Sequence, residues 1–163
     1  MNNEYFMHEA IVEGRKARSH CRPNPPVGCV LVLDGQIVGR GHTQPPGSAH
    51  AEIAALESAG SIDYARATLY VTLEPCSFHG RTPSCAQTLV SASISKIVIG
   101  LIDSDPRNSG AGVDILRKGG IAVEVGVLSE EVFDDLQPYL KGAKRSLHLT
   151  ASAIFLRSGG NSA

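Results

Sequence analysis

Residues 67–102 read A-T-L-Y-V-T-L-E-P-C-S-F-H-G-R-T-P-S-C-A-Q-T-L-V-S-A-S-I-S-K-I-V-I-G-L-I. Two β-rich runs, Ala67 to Leu73 and Lys96 to Ile102, enclose a segment from Pro83 to Ala92 that suits a helix. Neither run alternates strictly between apolar and polar residues, the pattern of strands covered on both faces. Strand, helix and strand in that order predict a parallel pair joined by a crossover helix.

Outward from this unit, Val27 to Leu33 and Gln36 to Gly41 are short strands separated by Asp34-Gly35, the strongest short-range hairpin signal. From Glu4 to about Arg18, Phe6, Met7, Ala10, Ile11, Gly14 and Ala17 follow helical spacing, until Pro23, Pro25 and Pro26 force a loop. Ala49 to Ala59 reads as a helix closed by Gly60. Downstream, Gly112 to Lys118 is a helix ending at Gly119-Gly120, and Ile121 to Val127 a strand. Ser129 to about Leu140 is a last helix, with Ser129 as N-cap and Glu130 and Glu131 in its first turn. The series predicts an α/β fold, a three-layer α/β/α sandwich around a central mixed sheet of about five strands whose later members are parallel.

The 163 residues fit one domain, expected over 1–149. Residues 150–163, ending S-G-G-N-S-A, have the composition of a mobile or peripheral tail. With 15 basic against 16 acidic residues the net charge is −1, which argues against a basic nucleic-acid surface. Four Tyr, four Phe and no Trp are too few for a base-stacking platform. A hydrophobic share of 42% rules out disorder as a description of the whole chain. No apolar run approaches a membrane span, and Glu4, His8, Glu9 and Glu13 break up any signal-peptide core. The chain therefore reads as cytoplasmic, and Cys21, Cys29, Cys76 and Cys85 as reduced thiols that are core residues or metal ligands.

Two segments carry chemistry: His50-Ala51-Glu52, and Thr72-Leu73-Glu74-Pro75-Cys76 followed by Cys85. One His and two Cys make three corners of a tetrahedral zinc site, and an open fourth corner for water marks a catalytic site. Two thiolates offset the 2+ charge and leave that water less acidic, so the site gains from a carboxylate base. Glu52, two residues from His50 at a helix start, is placed to reach it. His and Cys are also ordinary core residues. Here, however, His50-x-Glu52 opens a helix after a Pro/Gly loop, and Pro75-Cys76 ends a strand at its carboxyl end, where open α/β sheets hold their ligands. The H-x-E…P-C-x-x-C pattern belongs to zinc nucleobase deaminases. In this chain His79 stands at the C-x-x-C position and the second Cys comes nine residues on. Spacing alone allows a His50/Cys76/His79 set, while Cys85, after Pro83 at a helix start, is the better-placed thiolate.

T-L-E-P-C-S-F-H-G-R-T-P-S-C (72–85) resembles the signature of the riboflavin-pathway pyrimidine deaminases, as do N-P-P-V-G-C (24–29), G-H-T-Q-P-P-G-S-A-H-A-E (41–52) and D-P-R-N-S-G-A-G (105–112). The likeness runs from about residue 4 to 137, with the motifs in family order. It implies a cytidine-deaminase-like fold, Zn2+ as cofactor, Cys85 as third ligand, and at least a homodimer. It also implies that Asn24 hydrogen-bonds the substrate base and that Arg81 lies near a substrate phosphate, where a guanidinium binds bidentately. His79, Thr82, Asp103 and Asp105 are further candidate substrate contacts, with Asp103 alternatively capping the next turn and Thr82 ordering its loop. The Ala51 N–H can help hold the base. Cys29 is expected in the core and Cys21 in a loop as an unremarkable thiol; His8, His20, His42 and His148 carry no expected role.

The chain departs from the family pattern in three places. It stops where full-length members continue into a reductase domain, so it reads as a stand-alone deaminase or single-domain relative, with a separate reductase as a candidate partner. Phe78 stands where many members have a substrate-contacting His, and Ser104 where many have Pro. The expected activity is a hydrolase acting on C–N bonds of cyclic amidines. Its first candidate substrate is the diaminopyrimidinone ribosylamino-phosphate of riboflavin biosynthesis. The alternatives are another nucleobase, nucleoside or nucleotide, including a secondary-metabolite substrate, and a non-catalytic zinc-stabilised binding module. Transfer RNA is disfavoured by the balanced charge and the missing C-x-x-C.

Overall fold

The computed structural model describes residues 2–78 and 83–145. The elements along the chain are α1 (Asn3–Arg15), β1 (Gly28–Leu33), β2 (Gln36–His42), α2 (Ala51–Ala59), β3 (Thr68–Leu73), α3 (Cys85–Ser91), β4 (Lys96–Leu101), α4 (Ala111–Lys118), β5 (Ala122–Val125) and α5 (Ser129–Leu136). Short 3₁₀ turns span Tyr64–Arg66 and Gln137–Tyr139.

The five strands form one sheet in the order β2-β1-β3-β4-β5. β1 runs antiparallel to both β2 and β3, whereas β3, β4 and β5 are parallel. This is the mixed sheet expected from the crossover unit. β3 is buried at every position and β4 at all but its first, which explains why neither run alternates. The edge strands β2 and β5 carry exposed residues. In the β1–β2 turn Asp34 and Gly35 both have positive φ, at 50° and 75°, the pairing that a two-residue hairpin requires.

Alternate residues of the central strands face opposite layers. Cys29, Leu31, Leu69, Val71, Ile97 and Ile99 pack with Ala51 and Ala55 of α2, Leu89 of α3 and Leu116 of α4. Val30, Val32, Tyr70 and Val98 pack with Phe6, Met7 and Ile11 of α1 and Phe133 and Leu136 of α5. Each buried Leu, Ile or Phe side chain contributes roughly 1.5–3 kcal/mol by leaving water.

Several boundaries differ from those expected. α1 stops at Arg15, where the amides of Lys16, Ala17 and Arg18 turn to carbonyls three residues back and tighten the chain. Ser129 is the first residue of α5 and not its cap. Leu128 holds the N-cap position with φ 52°, because Gly126 (φ 101°) has already turned the chain out of β5. α5 ends at Leu136, and Pro138 falls in the 3₁₀ turn that follows. Cys21, expected as an ordinary loop thiol, is completely buried, as is Cys29. The expected boundary at 149/150 lies outside the described residues.

Candidate active site

The β3 and β4 strands end side by side, Leu73 opposite Leu101, and the segments leaving them carry Cys76 and Asp103. The third contributor is the start of α2, with His50 at its N-cap and Glu52 in its first turn. α2 lies against the hairpin because Gly41 of β2 has no side chain: a Cβ there would stand 2.2 Å from the Ala51 carbonyl oxygen and 2.4 Å from the Ala55 nitrogen. That close approach brings His50 and Glu52 to the ends of β3 and β4. The fourth contributor is α3, where the Ser84 hydroxyl caps the helix by accepting from the Gln87 N–H at 3.2 Å.

The ligand atoms of His50, Cys76 and Cys85 lie within 4.8 Å of one another, the one such cluster among the described residues. His50 Nδ1 is 3.1 Å from Cys85 Sγ and 3.8 Å from Cys76 Sγ. Tetrahedral zinc with Zn–S near 2.3 Å and Zn–N near 2.0–2.1 Å puts N and S about 3.6 Å apart. The two observed distances straddle that value, and a borderline-soft cation suits two thiolates and an imidazole, so the donor set fits zinc. The backbone N–H of Cys85 donates to Cys76 Sγ at 3.3 Å, and the Cys85 thiol also hydrogen-bonds it. Together these push the Cys76 thiol well down toward thiolate and, reciprocally, the Cys85 thiol up. The imidazole of His50, bonded to Cys76, is raised above its ordinary value. Cys29 contrasts with Cys76. Complete burial pushes its thiol well up, as befits a core residue.

Glu52 is 4% exposed. Burial lifts its carboxyl to about 7, against the opposing pull of a backbone hydrogen bond and the neighbouring His50. A carboxyl poised there can both take and return a proton near neutral pH. It opens into a cavity of about 280 Å³, near the lower end of the range for small-molecule sites (~300–1,000 Å³). His50, Ala51 and Cys76 line it together with Glu52, as do Asn24, Thr43 and Phe78. Asp103, Asp105 and Arg107 supply the wall that follows β4.

Of the expected site residues, His50, Cys76, Cys85, Glu52, Asn24, Ala51, Asp103 and Asp105 thus converge on one place. Asp103 both faces the cavity and caps its own turn, accepting from the Asp105 N–H at 3.0 Å. His79, including its alternative role as a ligand, Arg81 and Thr82 lie outside the described residues, as does His148. Three residues escaped sequence reasoning. Arg107 grips the Asp105 carboxylate, with Nη2–Oδ2 at 2.6 Å, and the pairing draws Asp105 down to about 2. Glu74 and Asn108, buried at 3% and 1% exposure, knit the cavity wall together. Their only signal was membership of the same motifs as Cys76 and Asp105.

Residues 1–101 match the model of the cytidine and deoxycytidylate deaminase zinc-binding region. Among curated relatives, riboflavin biosynthesis protein RibD of Chlamydia muridarum is 46% identical over 136 residues, covering 83% of this chain and 36% of the relative. RibD of Escherichia coli K12 is 43% identical over 141 residues, 86% of this chain and 38% of its own. The chain therefore spans little more than a third of the length of either. Among solved structures, a diaminohydroxyphosphoribosylaminopyrimidine deaminase/5-amino-6-(5-phosphoribosylamino)uracil reductase from Thermotoga maritima superposes with a TM-score of 0.77 at 42% identity. The match covers 84% of this chain and 40% of that one. A cytidine-deaminase-like sheet, a donor set that fits zinc and a match over more than half the sequence agree with one another: the chain belongs to the cytidine and deoxycytidylate deaminase zinc-binding family.

Proposed function

We propose that this protein hydrolytically deaminates an aminopyrimidine, with His50, Cys76 and Cys85 as the ligands of a zinc ion and Glu52 as the acid/base. The observation that carries the reading is the buried Glu52 carboxyl lining the same cavity as His50 and Cys76, whose ligand atoms converge with that of Cys85. A purely structural zinc site has no use for a buried carboxyl that faces the cavity beside the ligands and whose pKa burial lifts to about 7.

Zinc held there supplies Lewis-acid chemistry that makes water a competent nucleophile near neutral pH. Glu52 takes a proton from the attacking water as its oxygen bonds to the amino-bearing ring carbon, and passes that proton to the adjacent ring nitrogen. Glu52 then carries the second proton of that water to the amino group, so that ammonia departs and a carbonyl remains. The atoms balance: one water enters and one ammonia leaves. Asn24, whose side-chain amide offers both donor and acceptor, orients the base, and the Ala51 N–H helps to hold it. Asp103 and Asp105 border the same cavity as acceptors for substrate donors. Arg81, His79 and Thr82 are assigned to the substrate on sequence grounds, Arg81 to a phosphate.

The first candidate substrate is the diaminohydroxyphosphoribosylaminopyrimidine of riboflavin biosynthesis, by likeness to the relatives' names. A second reading, deamination of another nucleobase, nucleoside or nucleotide, draws support from Phe78. It brings an apolar ring to the cavity at the position where the family resemblance implies a substrate-contacting His. A cytoplasmic enzyme acting as a homodimer or higher homo-oligomer completes the proposal. No helix among the described residues is long and apolar enough to cross a membrane.

The test is ammonia release from a panel holding the riboflavin precursor, its dephosphorylated form, cytosine, guanine and their nucleosides. Turnover of the precursor, with Arg81→Ala raising KM for the phosphorylated form alone, supports the first reading. Turnover of another member only supports the second, and no release from any of them by the zinc-loaded protein overturns both.

A further inference from the structure

The Glu74 carboxylate is buried, one residue before the Pro75-Cys76 turn, and has no part in the proton transfers above. Its Oε1 accepts from the Asp103 N–H at 3.2 Å and from the Gly110 N–H at 3.0 Å. Its Oε2 accepts from the Val113 N–H at 3.1 Å, in the first turn of α4. The segment 103–110 therefore leaves and returns to a single oxygen atom. Gly110, the N-cap of α4, has no side chain to cap the helix, and the Glu74 carboxylate takes over that role.

Asn108 grips the same segment from inside. Its Nδ2 donates to the Pro75 carbonyl at 3.3 Å and to Asp103 Oδ2 at 3.2 Å, and its Oδ1 accepts from the Ser77 N–H at 3.1 Å. Pro75 and Ser77 are the two neighbours of Cys76. Both side chains thus tie the backbone around the Cys76 sulfur to the loop that carries Asp103, Asp105 and Arg107 into the cavity. Carboxylates that accept several N–H bonds in a buried setting are strong fasteners, since each unpaired buried group costs about 1–3 kcal/mol.

From this geometry we propose that Glu74 and Asn108 are positioning residues. They form a bracket that fixes the Cys76 thiolate relative to the Asp103–Asp105 wall, so that metal affinity and substrate affinity are set together. The proposal rests on the deaminase reading for its substrate half, whereas its metal half stands apart from turnover. Outer partners that orient a metal ligand typically change metal affinity or activity by about 10–100-fold when removed.

The test uses the full chain with Asn108→Ala and Glu74→Gln, measuring three quantities. These are zinc affinity by chelator competition, the thiolate-to-metal absorption bands of the cobalt(II)-substituted protein, and KM and kcat on whichever panel substrate the wild type turns over. The melting temperature of the metal-free protein is recorded alongside. The expected result for Asn108→Ala is zinc affinity lower by about 10–100-fold, shifted cobalt bands and a raised KM. A variant with a lower melting temperature but wild-type zinc affinity, cobalt spectrum and KM would overturn the proposal, because a merely structural role moves stability alone. Should Glu74→Gln fail to fold, Asn108→Ala decides by itself. Should the wild type deaminate nothing on the panel, the deaminase reading fails, while zinc affinity and the cobalt spectrum still decide the bracket.

Discussion

The Arg107 guanidinium lies 4.9 Å from the centroid of the Phe78 ring while gripping Asp105. Phe78 follows β3 and Arg107 follows β4, so this contact joins the two loops at the edge of the cavity. An exposed cation–π contact is worth roughly 0.5–1 kcal/mol, which corresponds to about a two- to five-fold change in an equilibrium constant. Phe78→Ala should raise KM by about that factor and leave kcat nearly unchanged, as read by steady-state kinetics. An unaltered KM would remove Phe78 from substrate recognition.

The ligand assignment makes a contrasting pair. Cys85→Ser replaces a thiolate donor by a hydroxyl that stays protonated, and zinc content should fall well below one ion per chain by elemental analysis. Cys29→Ser should keep its zinc, because Cys29 lies in the core. Its cost should appear as stability, about 1–3 kcal/mol for a buried hydroxyl in place of an apolar thiol. Full zinc in Cys85→Ser would return the third-ligand role to His79.

Glu52→Gln keeps the shape of the side chain and removes its capacity to carry a proton. Zinc content and melting temperature should stay close to wild type while kcat falls by at least about 10²–10⁴-fold. Near-normal turnover by a zinc-replete Glu52→Gln protein would dispose of the proposed mechanism.

Gly41→Ala drives a methyl group into the backbone of α2, where the nearest atoms stand 2.2 Å and 2.4 Å from the Cβ position. Backbone cannot rotate away as a side-chain tip can, so α2 must shift. Overpacking of this kind costs about 1–3 kcal/mol or more, and the shift carries His50 and Glu52 with it. Both the melting temperature and zinc affinity should drop, measured by thermal denaturation and chelator competition.

Glu13 ties α1 to β2: Oε1 lies 3.0 Å from His42 Nδ1, and Oε2 lies 2.8 Å from Lys16 Nζ. Burial works against its ionisation, but the hydrogen bonds from Lys16 and His42 outweigh it and hold the carboxyl below its ordinary value of 4.5. A folded pKa below the unfolded one adds stability that is fully present above about 4.5 and lost as the pH falls through the lowered folded value. Glu13→Gln should therefore melt earlier than wild type at pH 7. The gap between the two melting curves should narrow as the pH falls below about 4.5, and a gap that stays constant on acidification would exclude the linkage.

Short-range chemistry made much of this protein legible in one dimension. Asp34-Gly35 specifies its own turn through the positive φ that both residues adopt, and the β3 and β4 runs declare by unbroken apolarity that they are buried on both faces. His50-x-Glu52 and Pro75-Cys76 were readable because a helix start and a strand end are local features, and they meet where an α/β sheet gathers such ends. What adds β1 to the sheet between β2 and β3 is burial and hydrogen bonding across distant segments, which no window along the chain contains. The burial of Cys21 is of the same kind, set by packing. Glu74 and Asn108 illustrate it most directly. Glu74 reaches partners 29 to 39 residues away and Asn108 partners 31 and 33 residues away, among others nearer in sequence. A buried carboxylate satisfied wholly by backbone amides leaves no pattern in sequence, since any residue except proline supplies an N–H; only the folded chain decides which amides arrive.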